Sequence, residues 1–475
     1  MNFYGRELEI SLLNKSNRQD KARLTAIYGR RRVGKTSLVE NAFKNDSLWK
    51  FEGIENGSRK IQLKYFIKQL SYYQKSANSN KIAEDWGDVF EILEKQINHY
   101  RRKDKKRLVV FFDEFQWMAE MNPGLVSIFK YYWDNFFSKH EWCDFIICGS
   151  VSSFIVKKVI QSRALYGRIG LEINLLPLSF KECKKFYQNS PFIKHALENY
   201  MVLGGIPQYY REFDFTLSLQ QNLNELAFSP YGYFFNEFDR LFISHFSTHT
   251  IYEKILQILS VKKYSHSELA KKCGITPGGS FSERLKELEQ AGFVKSSVPI
   301  DKKSNSRLIQ YAINDEYLHF YFSFILPFSE EIISGNINFQ KVASHKNYEQ
   351  WQGYAFERLC QKHSKLIADY LNFSAVKYRS GSWFRKRQGR NVGTQIDLMY
   401  IRGDKVLTIC EIKYSKRLSP SAIISIFEKK IDVLSAEYEN YAIEKVLIVG
   451  NLKHVPLALE NYFDTIITAE ILFEL

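Results

Sequence analysis

The sequence is poor in the features that mark several common classes of protein. None of its six cysteines stands in a C-x-x-C pair, and most lie among apolar neighbours. Neither a zinc site nor a disulfide framework is therefore expected; buried, reduced thiols are. No apolar run approaches the roughly 18 residues that a membrane span needs, and the N-terminus lacks the apolar core of a signal peptide. The expectation is a cytoplasmic protein with no membrane contact. Acidic residues are in deficit: 52 Asp and Glu stand against 67 Lys and Arg, a net charge of +15. That balance favours anionic partners, nucleic acid first, although a diffuse positive surface does not require one. What is present is ordinary for a chain with buried cores, at 45% hydrophobic and 25% charged residues, with aromatics raised to 15%. At 475 residues about three domains fit.

Tyr28 to Leu38 reads YGRRRVGKTSL and satisfies G-x-x-x-x-G-K-[ST]. It follows the apolar run Leu24 to Tyr28 and opens into a segment of helical character, Ser37 to Phe43. Strand, loop and helix in that order are the context the motif needs. The glycines leave backbone N–H groups free to face phosphates, and the helix N-terminus adds its positive dipole end. Gly29, Arg30, Arg31, Arg32, Val33, Gly34, Lys35, Thr36 and Ser37 are the expected nucleotide contacts. Lys35 would reach the β- and γ-phosphates, and Thr36 would ligate Mg²⁺. ATP and Mg²⁺ are the expected cofactors. The three consecutive arginines are an unusual cationic load for such a loop.

Leu108 to Phe112 is a fully apolar strand that ends in Asp113 and Glu114, within VVFFDEFQ. Five apolar residues in a row suit a strand of a parallel sheet buried on both faces, and open α/β sheets bind ligands at such strand ends. Asp113 would hold Mg²⁺ and Glu114 would polarise the attacking water. A second strand is expected over Leu48 to Phe51, a third over Phe145 to Ser150, and a last over Ile173 to Leu178. Amphipathic helices are expected within Asn2 to Asn14, starting after a turn at Gly5, over Ser58 to Tyr73 with Ile61, Tyr65, Leu70 and Tyr73 inward, and over Asp85 to His99. No N-K-x-D motif follows Asp113, which disfavours a GTPase.

Together FYGRE at Phe3 to Glu7, the P-loop and the Asp113–Glu114 pair resemble AAA+ ATPases of the initiator and STAND-like branches. The resemblance implies that Ser150 senses the γ-phosphate and that the FYGRE turn packs near the adenine. It also implies that Arg168 serves as an arginine finger in trans, hence a homo-oligomer. LGGIPQYYREF, Leu203 to Phe213, resembles the turn of the small helical lid of archaeal-type AAA+ proteins, with Arg211 near phosphate.

The second half is organised differently. Helical patterns at Ile251 to Leu259, Ser265 to Leu269 and Ser280 to Gln290 precede a hairpin over Val294 to Ile313, a winged-helix pattern. Ser280 and Glu283 read as a capping box. The third helix mixes Arg284 and Lys286 with Glu287 and Glu289, so a structural or protein-contact role fits as well as DNA recognition. An aromatic helix, Tyr317 to Phe328, and a polar linker to Lys346 follow.

Beyond it, Tyr348 to Tyr370 is a helix pattern with Glu357, Gly393 to Tyr400 a strand with Asp397, and Val406 to Tyr414 a strand with Glu411 and Lys413. Glu411 and Lys413 leave one face of their strand, together with Leu407 and Ile409. A Glu and a Lys on a buried face are costly unless they bind something. Glu357, Asp397 and Glu411 would hold one divalent ion, with Lys413 at the attacking hydroxide. One difficulty is geometric: a two-residue turn at Gly403–Asp404 pairs Asp397 with Cys410, out of phase with Glu411, so an odd-length loop or a bulge is required. Arg379 to Arg390, RSGSWFRKRQGR, reads either as a phosphate-tracking segment with Trp383 and Phe384 for stacking or as an ordinary exposed loop.

The helix acid, strand Asp and E-x-K strand resemble the PD-(D/E)XK nuclease superfamily, although Ile396 stands where that pattern has proline. The expected fold is therefore α/β: a P-loop AAA+ core with a parallel sheet over residues 1–178, a helical lid over 179–245, a winged helix over 246–316, a linker over 317–346 and a mixed α/β restriction-endonuclease-like domain over 347–475. The expected function is a Mg²⁺-dependent ATPase that couples nucleotide state to DNA binding or processing; the alternative is a signalling or scaffold switch whose C-terminal domain binds without cleaving.

Overall fold

The computed structural model describes residues 3–15, 21–73, 83–103, 106–120, 122, 124–150, 159, 162, 164–243, 249–302, 308–344, 346–385, 394–452 and 454–474. They divide into two compact units, Met1–Phe186 with Gly205–Arg211 and Leu285–Gly292, and Tyr187–Gly204 with Glu212–Arg284 and Phe293–Leu475.

The first unit is built on a parallel five-stranded sheet of β1 (Arg23–Gly29), β2 (Ser47–Glu52), β3 (Leu108–Asp113), β4 (Cys143–Ser150) and β5 (Ile169–Asn174), in the order β2-β3-β4-β1-β5. Every residue of β3 and β4 is buried, as continuous apolar runs in the middle of such a sheet require. The sheet is covered by an aromatic core in which Phe51, Phe66, Phe90, Phe112 and Phe129 meet. Helix Trp86–Lys103 contributes Trp86, Val89, Phe90, Leu93 and Ile97, all buried at helical spacing.

Two expectations need correcting here. Helix Arg59–Tyr73 buries Gln62, Leu63, Phe66 and Leu70, whereas Ile61 and Tyr65 are exposed. The buried stripe thus runs one position beyond the expected one. The last strand lies over Ile169–Asn174, four residues before the expected Ile173 to Leu178. It is an edge strand whose residues alternate in exposure, so it carries no apolar run to mark it.

The second unit carries helices His249–Val261 and His266–Cys273 and a small sheet of β6 (Tyr264–Ser265), β7 (Val294–Ser297) and β8 (Gln310–Ile313), ordered β6-β8-β7; a third helix, Gly279–Gln290, is divided between the units at Arg284. The third helix begins at Gly279, so Ser280 lies inside it; the preceding helix carries a capping box of Ser265 with Glu268. The tip of the β7–β8 hairpin at residues 303–307 lies outside the described residues. The expected linker is packed structure: helix Phe339–Ala343 buries Phe339 and Val342. The expected long helix breaks at His363 into Lys346–Lys362 and Ser364–Tyr370.

The C-terminal sheet is mixed, with β9 (Tyr378–Arg385), β10 (Thr394–Arg402), β11 (Val406–Tyr414), β12 (Ala442–Gly450) and β13 (Thr465–Thr468) in the order β13-β12-β11-β10-β9. The first part of the basic RSGSWFRKRQGR stretch is strand β9, and Trp383 is 1% exposed within it, unavailable for stacking. Arg385 is its last described residue before 386–393.

Two glycines show why side chains are excluded at backbone crossings. A Cβ on Gly29 would lie 3.2 Å from the carbonyl carbon of Leu175, and one on Gly205 would lie 2.7 Å from the Leu178 amide nitrogen. The Leu178 N–H donates to the Gly205 carbonyl at 2.7 Å, so these two backbones cannot part without losing that bond. Gly205→Ala is expected to lower unfolding stability by about 1–3 kcal/mol; urea denaturation with an unchanged midpoint would show that the crossing tolerates a methyl group.

Candidate functional site

The parallel register assembles the first site. It sets Gly29, the last residue of β1, directly beside Ser150, the last residue of β4. After Gly29 the chain turns through Arg32 at φ 69° and Gly34 at φ 87°, left-handed conformations that fold the loop back on itself. Lys35 then starts the helix Lys35–Ala42. Its buried ammonium donates to the carbonyls of Gly29 at 3.0 Å and Arg30 at 3.1 Å, which holds it over the loop.

Thr36 Oγ1 donates to Asp113 Oδ2 at 2.8 Å. Asp113 is 2% exposed, and Lys50 of β2 brings its Nζ to 3.3 Å from the same oxygen. Burial works against the Lys50 charge, but Asp113, Glu52 and Glu40 together hold its ammonium above the ordinary value. A hydroxyl and a carboxylate oxygen in contact, already facing a cation, are a donor set that fits Mg²⁺. Glu114 follows at φ 48°, a strained conformation for a glutamate. Gln116 Nε2 donates to Glu114 Oε2 and, at 3.1 Å, to Ser150 Oγ. The strand-end serine and the acid are thus tied through one amide.

The first two of the three loop arginines have separate surroundings. Arg30 is buried and its Nη2 lies 3.4 Å from the Tyr209 hydroxyl. The Arg31 guanidinium stands 5.8 Å over the Trp117 ring and 3.9 Å from Glu55. Val33 accepts from Arg6, whose Nη2 donates to the Val33 carbonyl at 3.2 Å and to the Leu176 carbonyl at 2.7 Å. Arg6 of the FYGRE turn therefore fastens the loop from behind. Arg211 Nη2 donates to Ser37 Oγ at 3.3 Å. A cleft of about 890 Å³ opens over Lys35, Thr36 and Glu114, with Gly53, Tyr72 and Trp117 opposite. Arg168 does not line it: its Nε and Nη2 grip Asp134 at 2.6 and 2.8 Å, and that pair holds the Asp134 carboxyl down at about 2.

Sequence reasoning missed Lys50 and Gln116. Lys50 has no local signal, because only the β2–β3 pairing brings it to Asp113. Gln116 sits within the VVFFDEFQ motif, where its position one turn after Asp113 is the available clue.

The second site lies in the C-terminal sheet. The β10–β11 register pairs Leu398 with Cys410 and Ile401 with Leu407. Three residues, Gly403 to Lys405, connect the strands, with Lys405 left-handed at φ 63°. The loop is odd in length, so the same register continued by one residue brings Asp397 opposite Glu411, and the phase difficulty disappears. The β9–β10 pairing shifts between Ile396 and Met399, which places a bulge at Asp397. Gln395 Nε2 donates to Asp397 Oδ1 at 2.8 Å.

Glu411 is 3% exposed and lies between two lysines, Lys413 Nζ at 2.6 Å and Lys430 Nζ at 2.6 Å. Burial opposes its charge, yet Lys430 and Lys413 hold the carboxyl below its ordinary value. Lys430, on helix Pro420–Ser435, went unforeseen because its helix carries no motif. Glu357 is pushed up to about 7 by burial and then by the Asp397 charge. Glu357, Asp397 and Glu411, expected to share an ion, do not converge into a ligand group: among the described residues no three His, Cys, Asp or Glu side chains are grouped to hold a metal. The physical reason is that both Glu411 oxygens already face ammonium groups.

A carboxyl whose folded pKa is raised holds a proton that the unfolded chain has released. Its cost therefore grows as pH rises from the ordinary glutamate value toward about 7. Glu357→Gln is expected to raise the Tm by a few degrees above neutral pH, with the gain vanishing in acid. Thermal melts across pH check this; a gain independent of pH would remove the burial argument.

Comparison with known proteins bears on the first site most directly. Residues 3–213 match the model of an ATPase domain found predominantly in Archaea, and residues 321–426 match a family described as archaeal and bacterial proteins of unknown function. An uncharacterized protein of Methanocaldococcus jannaschii is 27% identical over 418 residues, 87% of each chain. Among solved structures, a Walker-type ATPase of Pyrococcus abyssi is 20% identical, with 67% of this chain and 96% of that one covered at a TM-score of 0.49. The ORC2 protein of Aeropyrum pernix is 16% identical, with 68% and 89% covered at a TM-score of 0.40. No described helix is long and apolar enough to cross a membrane. Residues 3–213 thus match the archaeal ATPase domain and carry a strand–loop–helix P-loop with Asp113 against Thr36, and the protein is an ATPase.

Proposed function

We propose that ATP hydrolysis here depends on Mg²⁺ and is coupled to DNA binding or processing by the C-terminal domain. The observation that carries the Mg²⁺ reading is the contact of Thr36 Oγ1 with the buried Asp113 carboxylate. Thr36 and Asp113 would hold the ion, whose charge would neutralise the β- and γ-phosphates. Lys35 orients the phosphates, and the backbone N–H groups of Arg31 to Thr36 cradle them. Glu114 takes the proton of the attacking water. Ser150, tied to Glu114 through Gln116, reports the presence of the γ-phosphate. An arginine-finger role for Arg168 on a second copy of the chain would require it to leave Asp134.

The DNA reading draws on the basic net charge and on the acids of the C-terminal sheet. A cleavage role for Asp397, Glu357 and Lys413 would require the acids to gather with Glu411 around a cation, which they do not do among the described residues. The second reading is a nucleotide-controlled switch whose C-terminal domain binds without cleaving. It is favoured by the double lysine clamp on Glu411, which neutralises that acid without metal.

Lys35→Ala is expected to lower ATP turnover by about 100-fold or more, and phosphate release at wild-type rate would sink the P-loop roles. Incubation with DNA and Mg²⁺ separates the two C-terminal readings. Cleavage lost in Asp397→Ala and in Lys413→Ala supports processing, whereas cleavage unaffected by either change, or no cleavage at all, leaves the switch.

A further inference from the structure

The second unit contains a cleft of about 970 Å³ that borders the second site at Glu357 and Asp397 and extends beyond it. One wall comes from Lys262 and Lys263, just before β6, and from Lys295 of β7. The other comes from helix Lys346–Lys362, β9 and β10, and includes Tyr354, Glu357, Arg358 and Asp397.

Cations outnumber anions in this cleft: Lys262, Lys263, Lys295, Arg358 and Arg385 line it with Glu268, Glu357 and Asp397. Neither Lys263 nor Lys295 forms an ion pair or side-chain hydrogen bond among the described residues, and Arg358 Nε and Nη2 are buried with no hydrogen-bond partner. Burial pushes Lys263 down, against the pull of Asp397 and Glu357. Lys295 falls to about 8, through burial and then repulsion from Lys362 and Lys263, and burial takes Arg358 to about 10. Desolvated like charges facing one another cost free energy, and an anion threaded between them would remove that cost. A small ion would satisfy one of them; a chain of phosphates satisfies several. Tyr354, 52% exposed, offers a ring face in the same wall. A basic groove with an aromatic platform is the pattern that tracks a single strand, because an unpaired base has a free π-face.

We propose that this cleft seats a single strand of nucleic acid, with Lys263, Lys295 and Arg358 on its backbone phosphates and Tyr354 stacked on a base. The proposal rests on the DNA reading above and adds to it the seat and the form of the strand. The strand passes Glu357 and Asp397, which line the same cleft. Its phosphates then meet Lys263 and Lys295 beside the small sheet; Arg284 and Lys286 are not among the residues that line the cleft.

The test is fluorescence anisotropy of a labelled oligodeoxythymidylate and of a duplex of equal length, titrated with the full chain over a range of salt. The wild type is expected to prefer the single strand. Lys263→Gln/Lys295→Gln is expected to weaken single-strand binding at least about tenfold and to flatten the log–log salt slope by roughly 0.7 for each phosphate no longer neutralised. Because these changes relieve repulsion, the Tm should hold or rise, which separates weakened binding from misfolding. Arg284→Gln/Lys286→Gln should leave affinity unchanged, and Tyr354→Ala should weaken binding with the slope unaltered. Wild-type affinity and slope in the double lysine variant, a preference for duplex, or weakening confined to the Arg284/Lys286 variant would overturn the cleft while leaving the DNA reading standing. No binding of either nucleic acid by the wild type would overturn both.

Discussion

The buried carboxylate of Asp113 is the point at which the ATPase unit is held together chemically. A charge buried at the end of a central strand is tolerated only with partners, and Asp113 has the Thr36 hydroxyl from the loop and the Lys50 ammonium from the neighbouring strand. Those partners fix the first turn of the helix after the loop against the sheet. The strand order does the rest, because β4 lies between β1 and β3 and brings Ser150 beside Gly29. Arg6 and Gln116 then act as fasteners, one behind the loop at Val33, the other between Glu114 and Ser150. Lys50 thus balances the buried Asp113 charge from the neighbouring strand.

The second unit distributes charge the opposite way at two neighbouring places. Glu411 has more cations than it needs, with Lys413 and Lys430 on its two oxygens. Lys263 and Lys295 have no ion pair among the described residues, and burial depresses both of them and Arg358 despite the pull of Glu316, Glu357 and Asp397. Paired buried charge is compatible with a structural role, whereas unpaired buried charge stores free energy that a ligand can release. The contrast is why the cleft, rather than the clamped glutamate, carries the stronger expectation of binding. Glu357 belongs to both, sharing the cleft with Arg358 and a like-charge interaction with Asp397 and Glu411.

Much of this is legible locally. YGRRRVGKTSL identifies itself because its chemistry is done by contiguous backbone, and LVVFFDE does so because a doubly buried strand must be apolar until it reaches its ligand end. Helix Trp86–Lys103 is readable from its period, as are the Glu411 and Lys413 positions from the two-residue strand repeat. Strand β5 escapes such a reading because an edge strand alternates and shows no run, and β9 resembles a loop because its basic residues mask a buried Trp383.

The sequence alone determined that a nucleotide loop, a strand-end acid pair and a second α/β unit with an E-x-K strand exist, since each depends on neighbours in the chain. Only the tertiary structure decided who faces whom. The three-residue connection with Lys405 left-handed set the register that pairs Leu398 with Cys410. Strand pairing delivered Lys50 to Asp113, and a helix with no motif delivered Lys430 to Glu411. Sheet order and register join residues that are remote in sequence, and no local period encodes them. The partners of the Asp113 carboxylate, and the unpartnered cations of the second unit, therefore exist only in the folded chain.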